Sequence, residues 1–238
     1  MKDVLLLLTG CVNVRYRAAQ TADYRKDQYV GAICFYYYNT PYKVVFVDNS
    51  GFDISNFLPV DIRNSSRFEN LFYQNDNKVD QGKGYDEALI IEYAICNSKL
   101  ILNNSVVVKI TGRHIVSNIV RLIDTSVINE QTVCADYQIS RKNLLSYFFI
   151  APCCFFVDYF LPNKKCINDS EGRWFEYVLL DSVKQWKNDN YKHYFFKIPI
   201  KLIGTEGPTN EKYPPISFVN YVNKFIKYWL YRLGLYRI

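Results

Sequence analysis

An α/β protein built around a mostly parallel, doubly wound sheet is what this sequence predicts, on three observations. Short, largely apolar runs of strand length recur at Val4–Leu8, Lys43–Val47 and Val106–Ile110. Each ends in a polar or glycine-bearing turn: Thr9-Gly10, Asp48-Asn49-Ser50-Gly51 and Thr111-Gly112-Arg113. Segments with helical spacing separate them, and near-continuous apolar strands alternating with helices belong to a parallel sheet covered on both faces.

In order, residues 4–8 form the first strand. Lys2-Asp3 ahead of it carries an acid and the run is too short for a signal peptide. The polar run from Arg15 to Lys26 passes into a crossover helix over Tyr29–Tyr38, Lys43–Val47 is the second strand, and Phe68–Tyr73 a shorter third. After Gln81-Gly82-Lys83-Gly84 a helix spans about residues 85–97, its Ala88, Ile91, Ala94 and Ile95 sharing one face, and Val106–Ile110 follows as a strand. Beyond Arg113, Ile115, Ile119 and Leu122 keep helical spacing and Thr132–Tyr137 reads as a strand, while Phe148–Phe160 is strongly apolar around Pro152. Gly172–Trp186 reads as a helix whose start suits Asp169, Ser170 and Glu171, Tyr194–Ile203 alternates as a strand, and Gly204–Pro208 is a loop. A last helix follows Pro214-Pro215, with Ser217 as its cap and Phe218, Val222, Phe225, Ile226, Trp229 and Leu233 at helical intervals. The organisation is a body over 1–213, in halves 1–125 and 126–213, and a basic amphipathic C-terminal helix over 214–238.

Composition narrows the function. With 49% hydrophobic and 17% aromatic residues in 238, burial offsets chain entropy, and a disordered chain is excluded. The net charge of +6 is uneven: from Lys212 onward there are five basic residues and no acid, so residues 1–211 hold 24 basic against 23 acidic. A nearly neutral body argues against nucleic-acid binding. The last helix carries Lys224, Lys227, Arg232 and Arg237 beside Trp and Tyr, which suits an anionic membrane surface; the other reading docks it on the body with its lysines in water. Seven cysteines without C-x-x-C spacing read as reduced core residues of a cytosolic protein, and two scattered histidines, His114 and His193, make no metal motif.

The stretch richest in chemistry is Gly82-Lys83-Gly84 leading into a helix. Glycines admit a ligand close to the backbone, Lys83 adds charge, and the opening helix offers free N–H groups, so the loop is a candidate diphosphate cradle. The plainer reading is an ordinary helix start before a core strand.

Taken together, these landmarks resemble the nucleotide-sugar half of a GT-A-type glycosyltransferase. They also resemble bacterial capsule and lipopolysaccharide transferases that carry Leu7-Leu8-Thr9-Gly10, Val47-Asp48-Asn49-Ser50, the Gly-Lys-Gly loop and Lys109-Ile110-Thr111-Gly112-Arg113. The matches span roughly residues 4–113, with weaker echoes in Asn168–Tyr177 and Gly204–Tyr213. The resemblance implies a GT-A-like, Rossmann-type, mostly parallel sheet flanked by helices. It implies transfer of a sugar from a nucleotide-sugar to a glycan or lipid-linked acceptor, in surface polysaccharide synthesis at the inner face of the cytoplasmic membrane. In that family an Asp-x-Asp after the strand holds a divalent metal; here Lys109 and Arg113 stand in its place. The resemblance therefore implies that Lys83, Lys109 and Arg113 receive the leaving phosphate, with no metal or other cofactor favoured. Thr111 and Gly112 lend contacts there, and Thr9, Gly10, Asp48, Asn49, Ser50 and Gly84 join the donor site. Glu176 is the first choice of general base, with Asp169 and Glu171 behind it, against the alternative that the latter two cap a helix and Glu176 is simply solvated. Asp136, His114, Tyr85, Trp174 and Tyr213 are further polar or stacking candidates. A different class, a nucleotide-binding or scaffolding protein without catalysis, is kept alive by the missing acid pair. A methyltransferase ranks low, because no Gly-x-Gly-x-Gly loop follows residues 4–8.

Overall fold

The computed structural model describes residues 3–14, 20–75, 81–205 and 211–235. Its elements are β1 (Val4–Gly10), α1 (Ala22–Asn39), β2 (Lys43–Asp48), α2 (Val60–Arg63), β3 (Phe68–Phe72), α3 (Lys83–Asn97), β4 (Val106–Thr111), β5 (Ile115–Val116) and α4 (Ile119–Thr125). The second half adds β6 (Thr132–Gln138), β7 (Asn143–Pro152), α5 (Cys153–Phe155), α6 (Phe175–Asn188), β8 (Lys192–Tyr194), β9 (Leu202–Ile203) and α7 (Phe218–Arg232).

Seven strands form one sheet in the order β3-β2-β1-β4-β7-β6-β8. β7 alone runs against its neighbours β4 and β6, so the sheet is mostly parallel, as expected. Strand side chains alternate between faces. Leu5, Leu7, Val45, Val47 and Val107 pack under α3 and α6. Leu6, Leu8, Val44, Phe46, Val108 and Ile110 pack under α1 and α4. Each fully buried Leu or Val contributes about 1.5–3 kcal/mol. Two-sided burial of this kind explains why β1, β2 and β4 read as apolar runs. Phase places Lys109 with Val107, inside the layer beneath α3 and α6.

Several expectations need correction. The first crossover helix starts at Ala22, a full two turns early, because Thr21 accepts from the Tyr24 amide and caps it. Asp169, Ser170 and Glu171 do not start α6; they form a separate turn capped by Asn168, and α6 begins after Trp174 with no side-chain cap. Tyr194–Ile203 is not one strand. Only Lys192–Tyr194 pairs with β6 and only Leu202–Ile203 with β5. Pro199 between them has no N–H to give a ladder, and its carbonyl accepts from Asn118 Nδ2 at 2.9 Å. All seven cysteines are free, but only Cys134 and Cys153 are buried, with Cys96 and Cys166 exposed. Arg15, the Glu206-Gly207-Pro208 part of the expected loop and Arg237 lie outside the described residues.

The helix α7 is capped as expected, Ser217 and Asn220 forming a reciprocal capping box. It docks on β6 and β8, yet with its lysines turned inward. Lys224 pairs with Asp136, Lys227 Nζ donates to the Tyr137 carbonyl at 2.5 Å, and the Tyr231 hydroxyl meets His193 Nδ1 at 2.8 Å. Phe218, Val222, Phe225 and Trp229 face outward. Among the described residues no helix is long and apolar enough to cross a membrane.

Candidate active site at the carboxyl edge of the sheet

Parallel strands bring their carboxyl ends to one edge, and register lines up the separate motifs there. Gly10 lies opposite Asp48 across β1 and β2, and Thr9 opposite Thr111 across β1 and β4. Asn49 donates its amide to the Gly10 carbonyl at 3.1 Å, and Gly112 to that of Thr9 at 2.8 Å. Thus residues 9–10, 48–50 and 109–113 share one edge, where open α/β sheets bind ligands.

Lys109 does not face that edge. It is fully buried, and its ammonium donates to Glu87 Oε1 at 2.5 Å, the Ser146 carbonyl at 2.8 Å and Thr111 Oγ1 at 3.5 Å, which uses all three protons. Its charge is therefore matched within the protein and has nothing left for a phosphate. The Thr9 hydroxyl donates to the same Glu87 oxygen at 2.9 Å. Glu87 was missed by the sequence reading, although a lysine inside an apolar strand demands an acid within reach, and the first turns of α3 held one.

The Gly-Lys-Gly loop is likewise occupied by the chain itself. Asp169 Oδ2 accepts from the Gly84 amide at 3.1 Å, so a carboxylate of the protein sits at the opening of α3. Gly82 has φ +95°, and a Cβ there would lie 2.4 Å from the Asp169 side chain; at Gly84 the nearest Asp169 oxygen would be 2.9 Å away. These glycines make room for Asp169. Gly10 and Gly112 are small for a similar reason, since a Cβ would meet the Phe46 ring at 2.6 Å and the Thr9 carbonyl at 2.8 Å. Asp169 is thus a loop anchor rather than a free base.

Asp48 is a second anchor. Its buried carboxylate accepts from the Val12 amide at 2.8 Å, the Ser50 amide at 2.7 Å, the Ser50 hydroxyl at 2.6 Å and the Phe52 amide at 3.1 Å, tying the loops after β1 and β2 together. Burial pushes its carboxyl above the ordinary range, against those four donors, which favour the anion. Arg25, on α1, holds the same loop through the Cys11 carbonyl at 2.8 and 2.6 Å, another contact sequence did not announce.

What remains available at the edge is a short set. Arg113 is half-buried, has no acidic partner among the described residues, and its Nε is buried without a hydrogen bond. Lys83 is exposed and unpaired among the described residues. The Asn49 amide oxygen is buried and unpartnered. Glu176 is half-buried in the first turn of α6, with Oε1 accepting from the Ser146 hydroxyl at 2.5 Å. Ser146 therefore joins Glu176 to Lys109, through its hydroxyl on one side and its carbonyl on the other. Glu171 lies exposed on its turn, and Trp174 stacks on Tyr177 with centroids 5.7 Å apart beside Glu176. His114 is buried against Tyr213, whose hydroxyl lies 3.1 Å from Nε2; burial first, then the nearby Arg113 and Lys109 charges, lower its pKa to about 3, so the ring is neutral. Asp136 is committed to Lys224 and the Phe196 amide at 3.1 Å.

The residues present do not suit the divalent metal of the resembled family. Lys109 and Thr111 stand where carboxylates would be, Glu87 is neutralised by Lys109, and no group of three or more His, Cys, Asp or Glu placed to hold a metal occurs among the described residues.

Fold and edge together define an α/β protein with a mostly parallel sheet whose strand ends gather polar residues at one rim. No protein-family model matches the chain, and no curated protein does. Solved structures that it is similar to include two. HddC from Yersinia pseudotuberculosis has TM-score 0.40 and 13% identity over 67% of this chain and 80% of that one. The 2-C-methyl-D-erythritol 4-phosphate cytidylyltransferase (IspD) of Francisella tularensis has TM-score 0.40 and 8% identity over 94% of this chain and 99% of that one. Likeness at that level fixes neither substrate nor reaction.

Proposed function

We propose that the protein transfers a sugar from a nucleotide-sugar to a glycan or lipid-linked acceptor of surface polysaccharide synthesis, without a metal. The observation that carries this reading is Arg113: a half-buried guanidinium without an acid partner among the described residues, at the edge where three strand-end motifs meet. A desolvated cation of this kind calls for an anion, and guanidinium matches phosphate in a bidentate way. Lys83 supplies a second positive charge. Lys109 becomes a positioning residue that holds Glu87, Thr111 and the Ser146 backbone. Glu176, fixed by Ser146 and with no partner at Oε2 among the described residues, takes the proton of the acceptor hydroxyl. The hydroxyl oxygen bonds to the anomeric carbon as the bond from that carbon to the phosphate oxygen breaks, and the electron pair leaves on the nucleotide, facing Arg113 and Lys83. A single displacement of this kind inverts the anomeric centre.

The reading is tested by a thermal-shift panel of nucleotides and nucleotide-sugars with and without a divalent cation, followed by turnover of any donor that binds. A stabilising nucleotide-sugar and turnover in excess chelator are expected, with Glu176→Gln lowering turnover by about 100-fold or more while donor binding persists. Unchanged turnover in Glu176→Gln removes the base. A second reading, a nucleotide binder without catalysis, draws on the self-filled Gly-Lys-Gly loop; binding without any transfer or hydrolysis selects it.

A further inference from the structure

Among the described residues, the outward face of α7 has no partner on the protein. Phe218, Val222, Phe225, Ile226 and Leu233 are between 40% and 82% exposed, and Trp229 is 39% exposed. They form one stripe along 15 residues, roughly 22 Å of helix. The inward face is polar: Lys224, Lys227 and Tyr231 bind Asp136, the Tyr137 carbonyl and His193. An amphipathic helix that ordinarily hides its apolar side here hides its lysines. Beside its last turn opens a cavity of about 520 Å³ whose lining includes Lys187, Lys192 and Arg232. Among the described residues, no acidic one lines it.

We infer that this stripe and the adjoining cavity are a docking surface for an anionic lipid bilayer, with α7 lying in the interface plane. The stripe of aromatic and aliphatic side chains inserts between headgroups, Trp229 sits at the polar boundary, and a lipid phosphate meets Lys192 and Arg232 at the cavity. The attraction for anionic lipid comes from Lys192 and Arg232, which are exposed at that cavity, because Lys224 and Lys227 are already bound. A second copy of the chain fits the stripe poorly. Nine exposed apolar side chains from Phe218 to Leu235 fall short of the roughly 20–30 residues a side that a stable protein interface takes. Pairing two copies there would also gather two cation sets with no acid on α7 to offset them. The inference does not depend on the reading of the sheet edge, since neither the stripe nor the cavity shares a residue with it.

The test is co-sedimentation of the full chain with vesicles of phosphatidylcholine alone and of phosphatidylcholine mixed with phosphatidylglycerol, with light scattering in their absence. The wild type is expected to pellet with the mixed vesicles and to be monomeric without them. Phe225→Ser with Trp229→Ser is expected to weaken partition about tenfold or more, at unchanged helix content. Phe218→Ser, on the most exposed of these side chains and remote from the body, is the second variant and is expected to weaken it about threefold or more. Replacing Lys192 and Arg232 by Gln is expected to abolish the preference for mixed vesicles. The inference is overturned by a wild type that pellets with neither vesicle, by variants that bind as well as the wild type, or by a dimer that the serine variants dissociate, which would give the stripe to a second copy.

Discussion

Lys109 on β4, near the middle of the chain, and the Lys224–Lys227 pair on α7, near the end of the described residues, both read in sequence as cations waiting for an anion. Both turn inward instead, and the difference lies in what each leaves outside. At β4, Glu87 from the neighbouring helix neutralises Lys109 under a packed layer, and Arg113 and Lys83 stay without an acid partner among the described residues. On α7, Asp136 and the Tyr137 carbonyl take the lysines, and an apolar stripe is pushed into solvent. An acid far away in sequence decides which cations are available.

The largest expected effect is at Lys109. Lys109→Met leaves Glu87 and the Ser146 carbonyl without their buried partner and is expected to cost about 3–5 kcal/mol in urea denaturation, while adding Glu87→Gln restores most of it. A loss no larger than that of a surface lysine would mean that the pair is not formed.

Acid should act next. His114 and His193 are both lowered to about 3, burial being the first cause in each, while an unfolded histidine titrates near 6.5. Between those values the unfolded chain binds protons that the folded chain refuses, so stability falls as pH drops below 6.5, by about 1.4 kcal/mol per unit for each histidine. Thermal melts at pH 7 and pH 5 are expected to differ by about 2 kcal/mol per histidine, and His193→Gln to remove its share of that slope. Equal slopes in variant and wild type would show the ring to be solvated.

Gly82→Ala places a Cβ against Asp169 at φ +95° and is expected to cost about 1–3 kcal/mol. Asp169→Ala in the same chain relieves the contact but not the backbone strain, so partial recovery in a denaturant titration is the expected result. The smallest contrast lies within α7. Lys224→Met, which strands Asp136, is expected to cost about 1–3 kcal/mol, whereas Phe225→Ser three-tenths of a turn away should stay within about 0.5 kcal/mol. Reversed magnitudes would place the apolar stripe, and not the lysines, against the body.

Much of the frame was legible. β1, β2 and β4 announced themselves because strands buried on both faces have no polar phase, and Ser217 marked the start of α7 because its hydroxyl caps the helix. The strand over Tyr194–Ile203 failed where Pro199 interrupts the ladder, a cue present in the sequence and outweighed by alternation. That the strand-end turns would share one edge was legible, but the partners of the side chains there were not. Lys109 meets Glu87 and Ser146 across 22 and 37 residues, and Asp169 reaches Gly84 across 85. Spacing within a motif carries no record of such partners, nor of which stripe of α7 meets β6.

The central claim is that Arg113, and not Lys109, receives the nucleotide's phosphate. Calorimetric titration of a binding nucleotide-sugar into Arg113→Gln and into the charge-neutral pair Lys109→Met with Glu87→Gln tests it most directly. Arg113→Gln is expected to bind about tenfold or more weaker, with the pair within about threefold of the wild type. Full affinity in Arg113→Gln together with lost affinity in the pair would contradict the account.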